Sequence, residues 1–201
     1  MSAALLAMDF QVGVLARYPM STTEPLLERL DRALSAARSS NLPVIFVRLA
    51  FPSQNITIPA ENLLFSPLAD RPEFFDGAAE AQVHPSVKPA PGEVVLVKKR
   101  ASAFCGSNLA ELVSSLHVKH LVLAGVSTSG VVLSTVRDAA DRDFGLTVLA
   151  DACADRDEEV HRVLCTKVLP MQALVTTVDD WISTLPSPAT GGDQTGSRVK
   201  K

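Results

Sequence analysis

The chain has only three cysteines in 201 residues, Cys105, Cys153 and Cys165. They are odd in number, widely spaced and contain no CxxC pair, which argues against a disulfide scaffold and a cysteine-based zinc site. A reduced, cytoplasmic protein is the simpler expectation, with signal-independent secretion left open. Charge of one sign is also lacking: the formal net charge is −3, so nothing points to nucleic acid or a membrane surface as partner. No apolar run approaches the length needed to span a bilayer. The opening "MSAALLAMDF" has no basic stretch before its short apolar run and reads as a first strand rather than a signal peptide. There is no P-loop and no GxGxxG after that strand. His84, His117, His120 and His161 show no metal-ligand spacing.

What is present is alternation. Six apolar runs, at 3–8, 43–49, 93–98, 120–125, 146–151 and 172–177, are rich in Val, Leu and Ile without polar alternation. Such runs read as strands buried on both faces, hence a parallel sheet covered by helices. Helical patterns lie between them, at 21–41, 107–118, 130–143 and 156–169. The first has a stripe of Leu26, Leu27, Leu30, Leu34 and Ala37. The second has Leu109, Leu112, Val113 and Leu116 on one face behind a cap-like Ser107. The order predicts an α/β fold of three layers, α-β-α, in one domain over 1–185. Residues 51–92 interrupt it with seven prolines and no clear period. An irregular insertion of that size suggests a lid, a wall or an oligomer contact. The end, 186–201, has the composition of a disordered tail.

Ligands of an open parallel sheet collect at the carboxyl ends of its strands. The residues there are Asp9, Arg48, Lys98, Gly125 to Gly130, and Asp151. Asp9 and Lys98 make a plausible catalytic pair and equally a structural ion pair; Lys99 and Arg100 compete with Lys98 for the role. The turn "GVSTSG" (125–130) could gather backbone N–H groups at a helix start into an anion site, or be an ordinary capped turn. Cys105 and Cys153 are candidate thiols, or inert packing.

Four motifs occur in order: "ALLAMDFQVGVL", "VLVKKRASAF", "LVLAGVSTSGVVLSTVRDAADRDFGLTVLADACAD" and "HRVLCTKVLP". Together they resemble the isochorismatase-like hydrolases, a superfamily that includes nicotinamidases, N-carbamoyl amidohydrolases and isochorismatases. The resemblance covers most of 3–178. It implies a Rossmann-like parallel six-stranded sheet between helices. It also implies an Asp–Lys–Cys set in the amidase members, with the Asp on Asp9, the Lys on Lys98 and the Cys on Val131. A cis peptide before the family's cysteine would join Val126 to Ser127, and the oxyanion donors would be the N–H groups of Ser127 and Val131. Valine cannot form a thioester, so amidase chemistry of the nicotinamidase type is disfavoured. No His follows Arg48 in "LAFPSQN", so no zinc and no other cofactor is expected.

True isochorismatases are similar in needing no cysteine. The resemblance then implies hydrolysis of a vinyl ether in a small-molecule acid, with Asp9 as proton donor and Lys98 positioning it. Substrate-binding candidates are Gln11, Arg48, Arg71, Arg100, Phe104, Ser127, Thr128, Ser129 and Gly130, with the last two offering backbone N–H groups. Alternatives are a non-catalytic binding protein, or an amidase using Cys105, Ser127 or Ser129. A homodimer or homotetramer is expected by analogy.

Overall fold

In the computed structural model, residues 2–52 and 58–186 are described. The expected tail from 187 onward and the insertion's 53–57 lie outside the described residues.

The six apolar runs form one parallel sheet: β1 (Ala3–Met8), β2 (Val44–Leu49), β3 (Val94–Lys98), β4 (His120–Val126), β5 (Gly145–Ala154) and β6 (Leu174–Thr176). The order across it is β3-β2-β1-β4-β5-β6, with every neighbouring pair parallel. Strand order therefore reverses between β1 and β4, and a crevice opens there at the strands' carboxyl ends.

Both faces of the sheet are covered, which is why the runs show no polar alternation. Leu6, Met8, Ile45, Val47 and Leu123 pack on one side with residues of α3 (Leu109–Ser115) and α4 (Leu133–Ala140). Leu5, Ala7, Phe46, Val122 and Leu149 pack on the other with α2 (Met20–Ser39) and α6 (Val178–Ser183). Each fully buried aliphatic or Phe side chain contributes about 1.5–3 kcal/mol. The single turn α1 (Val12–Leu15) follows β1, and α5 (Glu158–Val163) follows β5.

Several boundaries differ from the sequence expectation. α2 spans Met20–Ser39 rather than 21–41; Pro19 precedes it, and no side chain caps it. α3 stops at Ser115 because His117 takes a left-handed turn (φ 52°), which leaves Leu116 41% exposed and buries Val118 instead. Ser107 does accept a hydrogen bond from the Leu109 N–H, at 3.2 Å. The helix expected over 130–143 opens with a π-helical turn at Thr128–Val132. The one expected over 156–169 becomes α5, a π turn at Leu164–Val168 and a 3-10 turn at Leu169–Met171.

β5 runs three residues past Asp151. Asp151 instead accepts from the Val178 N–H, at 2.8 Å, at the start of α6. The insertion holds four short 3-10 turns at Ser66–Leu68, Pro72–Phe74, Ala79–Ala81 and Pro85–Val87. Phe51, Ile58, Phe65 and Phe74 give it a small core of its own with Leu49.

Candidate active site

β1 ends at Met8, and Asp9 leaves it in a left-handed conformation (φ 58°) that Asp tolerates better than most residues. β3, two strands away at the sheet's edge, ends on Lys98. Its side chain crosses the end of β2, and the ammonium meets Asp9 Oδ2 at 2.9 Å. Lys98 also donates to the Arg100 carbonyl at 2.9 Å. Both side chains are withdrawn from water, Lys98 at 2% and Asp9 at 10% exposure. Lys99 is exposed, so the competition among the three basic residues falls to Lys98. The second Asp9 oxygen, Oδ1, is buried without a partner among the described residues. Burial pushes the Asp9 carboxyl above the ordinary carboxylate range, outweighing the opposing pull of the Lys98 charge and hydrogen bond.

β4 delivers the turn. The Val126–Ser127 peptide is cis. Ser127 Oγ accepts from the Gly130 N–H at 3.1 Å, closing the loop at the foot of the π turn. A Cβ at 130 would lie 2.7 Å from Ser127 Oγ, so any larger residue would push that hydroxyl aside. Val131 follows, buried at 3%. Asp9, Lys98, Ser127, Ser129, Gly130 and Val131 all line one cavity of about 300 Å³.

The other candidates lie off this cavity's wall. Gln11 is fully buried, and its amide is consumed by the main chain. It donates to Leu49 O (2.8 Å) and Ala81 O (2.9 Å) and accepts from the Leu49 N–H (2.8 Å). It ties β2 to the insertion rather than meeting a substrate. Arg48 pairs with Asp76. Arg100 donates to the Lys99 carbonyl at 2.6 Å and stacks over the Phe65 ring, 5.4 Å from its centroid. Arg71 is exposed and meets Glu73 at 3.4 Å. Phe104 packs in the core against Phe144, under Arg142. Thr128 is buried, and its hydroxyl is 2.8 Å from His161 Nδ1.

The N–H groups of Ser129 and Gly130, expected to bind substrate, are occupied by Asp155 Oδ2 (2.7 Å) and by Ser127 Oγ. That leaves the N–H groups of Ser127 and Val131, on residues of the cavity wall, as the oxyanion candidates. No thiol lines the cavity: Cys105 is exposed elsewhere, and Cys153 and Cys165 are buried. Burial pushes both of these thiols up. Among the described residues no three His, Cys, Asp or Glu side chains are grouped to hold a metal, and no helix is long and apolar enough to cross a membrane.

The sequence missed the cavity's outer wall. Leu64, Phe65, Leu68 and Phe74 come from the insertion, Arg17 and Tyr18 from the loop after α1, and Asp155 and Arg156 from the true end of β5. The proline-rich insertion signalled a wall without naming its residues. Asp151 looked like the strand's end and concealed Arg156.

A buried acid–lysine pair and a small-residue turn thus meet on one cavity at the reversal point of a six-stranded parallel α/β sheet. The chain belongs to the isochorismatase family, whose domain model matches residues 3–180. It is 27% identical over 187 residues to a ureidoacrylate amidohydrolase of Serratia proteamaculans, covering 87% of this chain and 75% of that protein. An N-carbamoylsarcosine amidase from Thermoplasma acidophilum superposes with a TM-score of 0.73 at 25% identity, over 89% of this chain and 98% of that one. A cysteine hydrolase from Pseudomonas syringae pv. phaseolicola shares the fold, with a TM-score of 0.83 at 21% identity over 90% and 91% of the two chains.

Proposed function

We propose that the protein hydrolyses the vinyl ether of isochorismate or a similar small acid, with Asp9 as general acid. One observation carries the reading. The Asp9–Lys98 pair is buried and 2.9 Å apart on a cavity that Val131 also lines, and the family resemblance implies Val131 as the counterpart of the amidases' cysteine.

The reaction begins with transfer of the Asp9 proton to the terminal methylene carbon of the enol ether. The π electrons form the new C–H bond and leave an oxocarbenium ion at the ether carbon. Water adds to that carbon and gives its proton to the Asp9 carboxylate. The hemiketal then collapses to pyruvate and the ring alcohol. Cleavage is hydrolytic and consumes no other reactant. The raised Asp9 pKa supports the first step, because a general acid must carry its proton near working pH. Lys98 then steadies the carboxylate that forms.

Pyruvate release from isochorismate, followed through coupled lactate dehydrogenase, tests the proposal. Turnover is expected, and it should fall on the order of 10²-fold or more in Asp9→Asn. A folded wild-type protein that releases no pyruvate refutes it.

The amidohydrolase relatives favour a second reading, carbon–nitrogen hydrolysis with a displaced nucleophile. Ser127 and Ser129 are its candidates, since they line the cavity and Cys105 does not. Ammonia release from a ureido acid without pyruvate release from isochorismate would favour that reading. A non-catalytic binding role would show neither.

A further inference from the structure

The turn after β4 is fastened by the segment that follows β5, at two consecutive residues. The Ser129 N–H donates to Asp155 Oδ2 at 2.7 Å, and the Thr128 hydroxyl lies 2.8 Å from His161 Nδ1. Thr128 is fully buried, and His161 supplies the one hydrogen bond of its hydroxyl among the described residues. His161 is itself held in place. α5 begins one turn earlier on Asp157, whose carboxylate accepts from the N–H groups of Glu159 and Val160 at 2.9 and 3.2 Å. Cys165 Sγ lies 3.9 Å from His161 Nδ1 and 3.8 Å from Nε2. A sulfur equally far from both nitrogens is in line with neither, so it packs against the ring and leaves Nδ1 to Thr128. Burial lowers the His161 pKa, outweighing the opposing pull of Asp155, so the ring is neutral at neutral pH. A neutral ring has one donor and one acceptor nitrogen, and its tautomer can suit either orientation of the Thr128 hydroxyl. His161 lines a separate hollow of about 270 Å³ and not the cavity of Asp9 and Lys98. It therefore touches nothing held beside Asp9 and reaches the site only through Thr128.

We propose that His161 is a positioning residue of the active site: through the Thr128 hydroxyl it holds the turn that sets Ser127 and Val131 on the cavity wall. The role deepens the proposed active site, on which it rests, but is indifferent to which bond is broken. An oxygen gains charge in either reaction, the leaving alkoxide of a vinyl ether or the carbonyl oxygen of a carbon–nitrogen bond. Backbone N–H groups stabilise such an oxygen best when they are already in place and need not reorganise. Small displacements of such groups are costly, so a contact remote from the chemistry can govern its rate.

Three variants separate positioning from mere support. His161→Phe keeps a ring but strands the buried Thr128 hydroxyl, so its melting temperature should fall. Adding Thr128→Val makes both partners apolar and should regain most of that loss, because replacing both sides of a buried hydrogen bond costs little. Activity should not follow stability: kcat of the double variant is expected to stay roughly 10- to 100-fold below wild type, with KM little changed. His161→Asn, whose side-chain amide places a polar atom where Nδ1 lies, should recover most of the lost kcat. Relaxation dispersion on nitrogen-15-labelled protein reads the turn without any substrate. The amides of Ser127, Ser129 and Val131 should show μs–ms exchange in the double variant, but not in wild type or His161→Asn. A double variant with wild-type kcat, turn amides as quiet as in wild type, or a His161→Asn variant no better than the double overturns the positioning role. A wild type that releases neither pyruvate nor ammonia refutes the proposed chemistry, and the relaxation measurement then decides the role of His161 alone.

Discussion

Asp9 is pulled in opposite directions. Removal from water favours its acid form, and Lys98 at 2.9 Å favours its carboxylate; burial prevails. The active form is the acid, so the rate should fall as pH rises through the Asp9 pKa, giving a basic limb above the usual carboxylate range. Removing the Lys98 charge removes the force that lowers this pKa. The basic limb of Lys98→Met should therefore move to higher pH, even as its maximal rate drops. A limb that stays in place or moves down would show that it reports another group. Cysteine chemistry makes a separate residue-scale prediction. Cys105 is the exposed thiol and does not line the cavity. Iodoacetamide should label it, as seen by mass spectrometry, with no loss of pyruvate release. Loss of turnover in proportion to labelling would instead favour Cys105 as a relocated nucleophile.

At the scale of elements, the turn after β4 depends on glycines for space. A Cβ on Gly130 would displace Ser127 Oγ from its hydrogen bond with the Gly130 N–H, so Gly130→Ala should cost about 1 kcal/mol, comparable to a lost cap. Thermal unfolding checks that figure, and pyruvate release should fall further than stability because the cavity wall shifts. Gly125 is similarly confined, 3.1 Å from Val132 Cγ2 and 3.2 Å from the Met8 carbonyl at its ideal Cβ position. The strands were legible in the sequence because burial on both faces leaves continuous Val, Leu and Ile runs. So were Asp9 and Lys98, as charges placed where those runs stop. Gln11 misled because a polar side chain near a strand end looks free until the backbone of a distant loop takes its hydrogen bonds. Arg17, Phe65, Phe74 and Arg156 were invisible for the same reason: contacts across long sequence separations bring them together, with no local period to mark them. Arg156 was further masked because β5 continues through the charged Asp151.

At the scale of the whole molecule, an acidic chain with a net charge of −3 is proposed to take an anionic substrate. Long-range attraction gives little help under that balance, so recognition must be local, in a crevice where low polarizability magnifies each charge. The same locality couples binding to protonation. An anion brought beside Asp9 disfavours its carboxylate and raises its pKa beyond the value set by burial, while also drawing on the Lys98 charge that had opposed the rise. Where the pH lies between the free and bound pKa values, the complex must take up a proton. Binding of an unreactive diacid, 3-(carboxymethoxy)benzoate, measured calorimetrically in buffers of different ionisation enthalpy, should therefore show net uptake approaching one proton at its maximum. Asp9→Asn should bind the diacid without that uptake, because its amide cannot titrate. Uptake that persists in Asp9→Asn would assign the proton to another group and remove the pKa argument for Asp9 as the acid. Uptake that disappears would tie substrate charge, Asp9 protonation and the start of the reaction to one equilibrium.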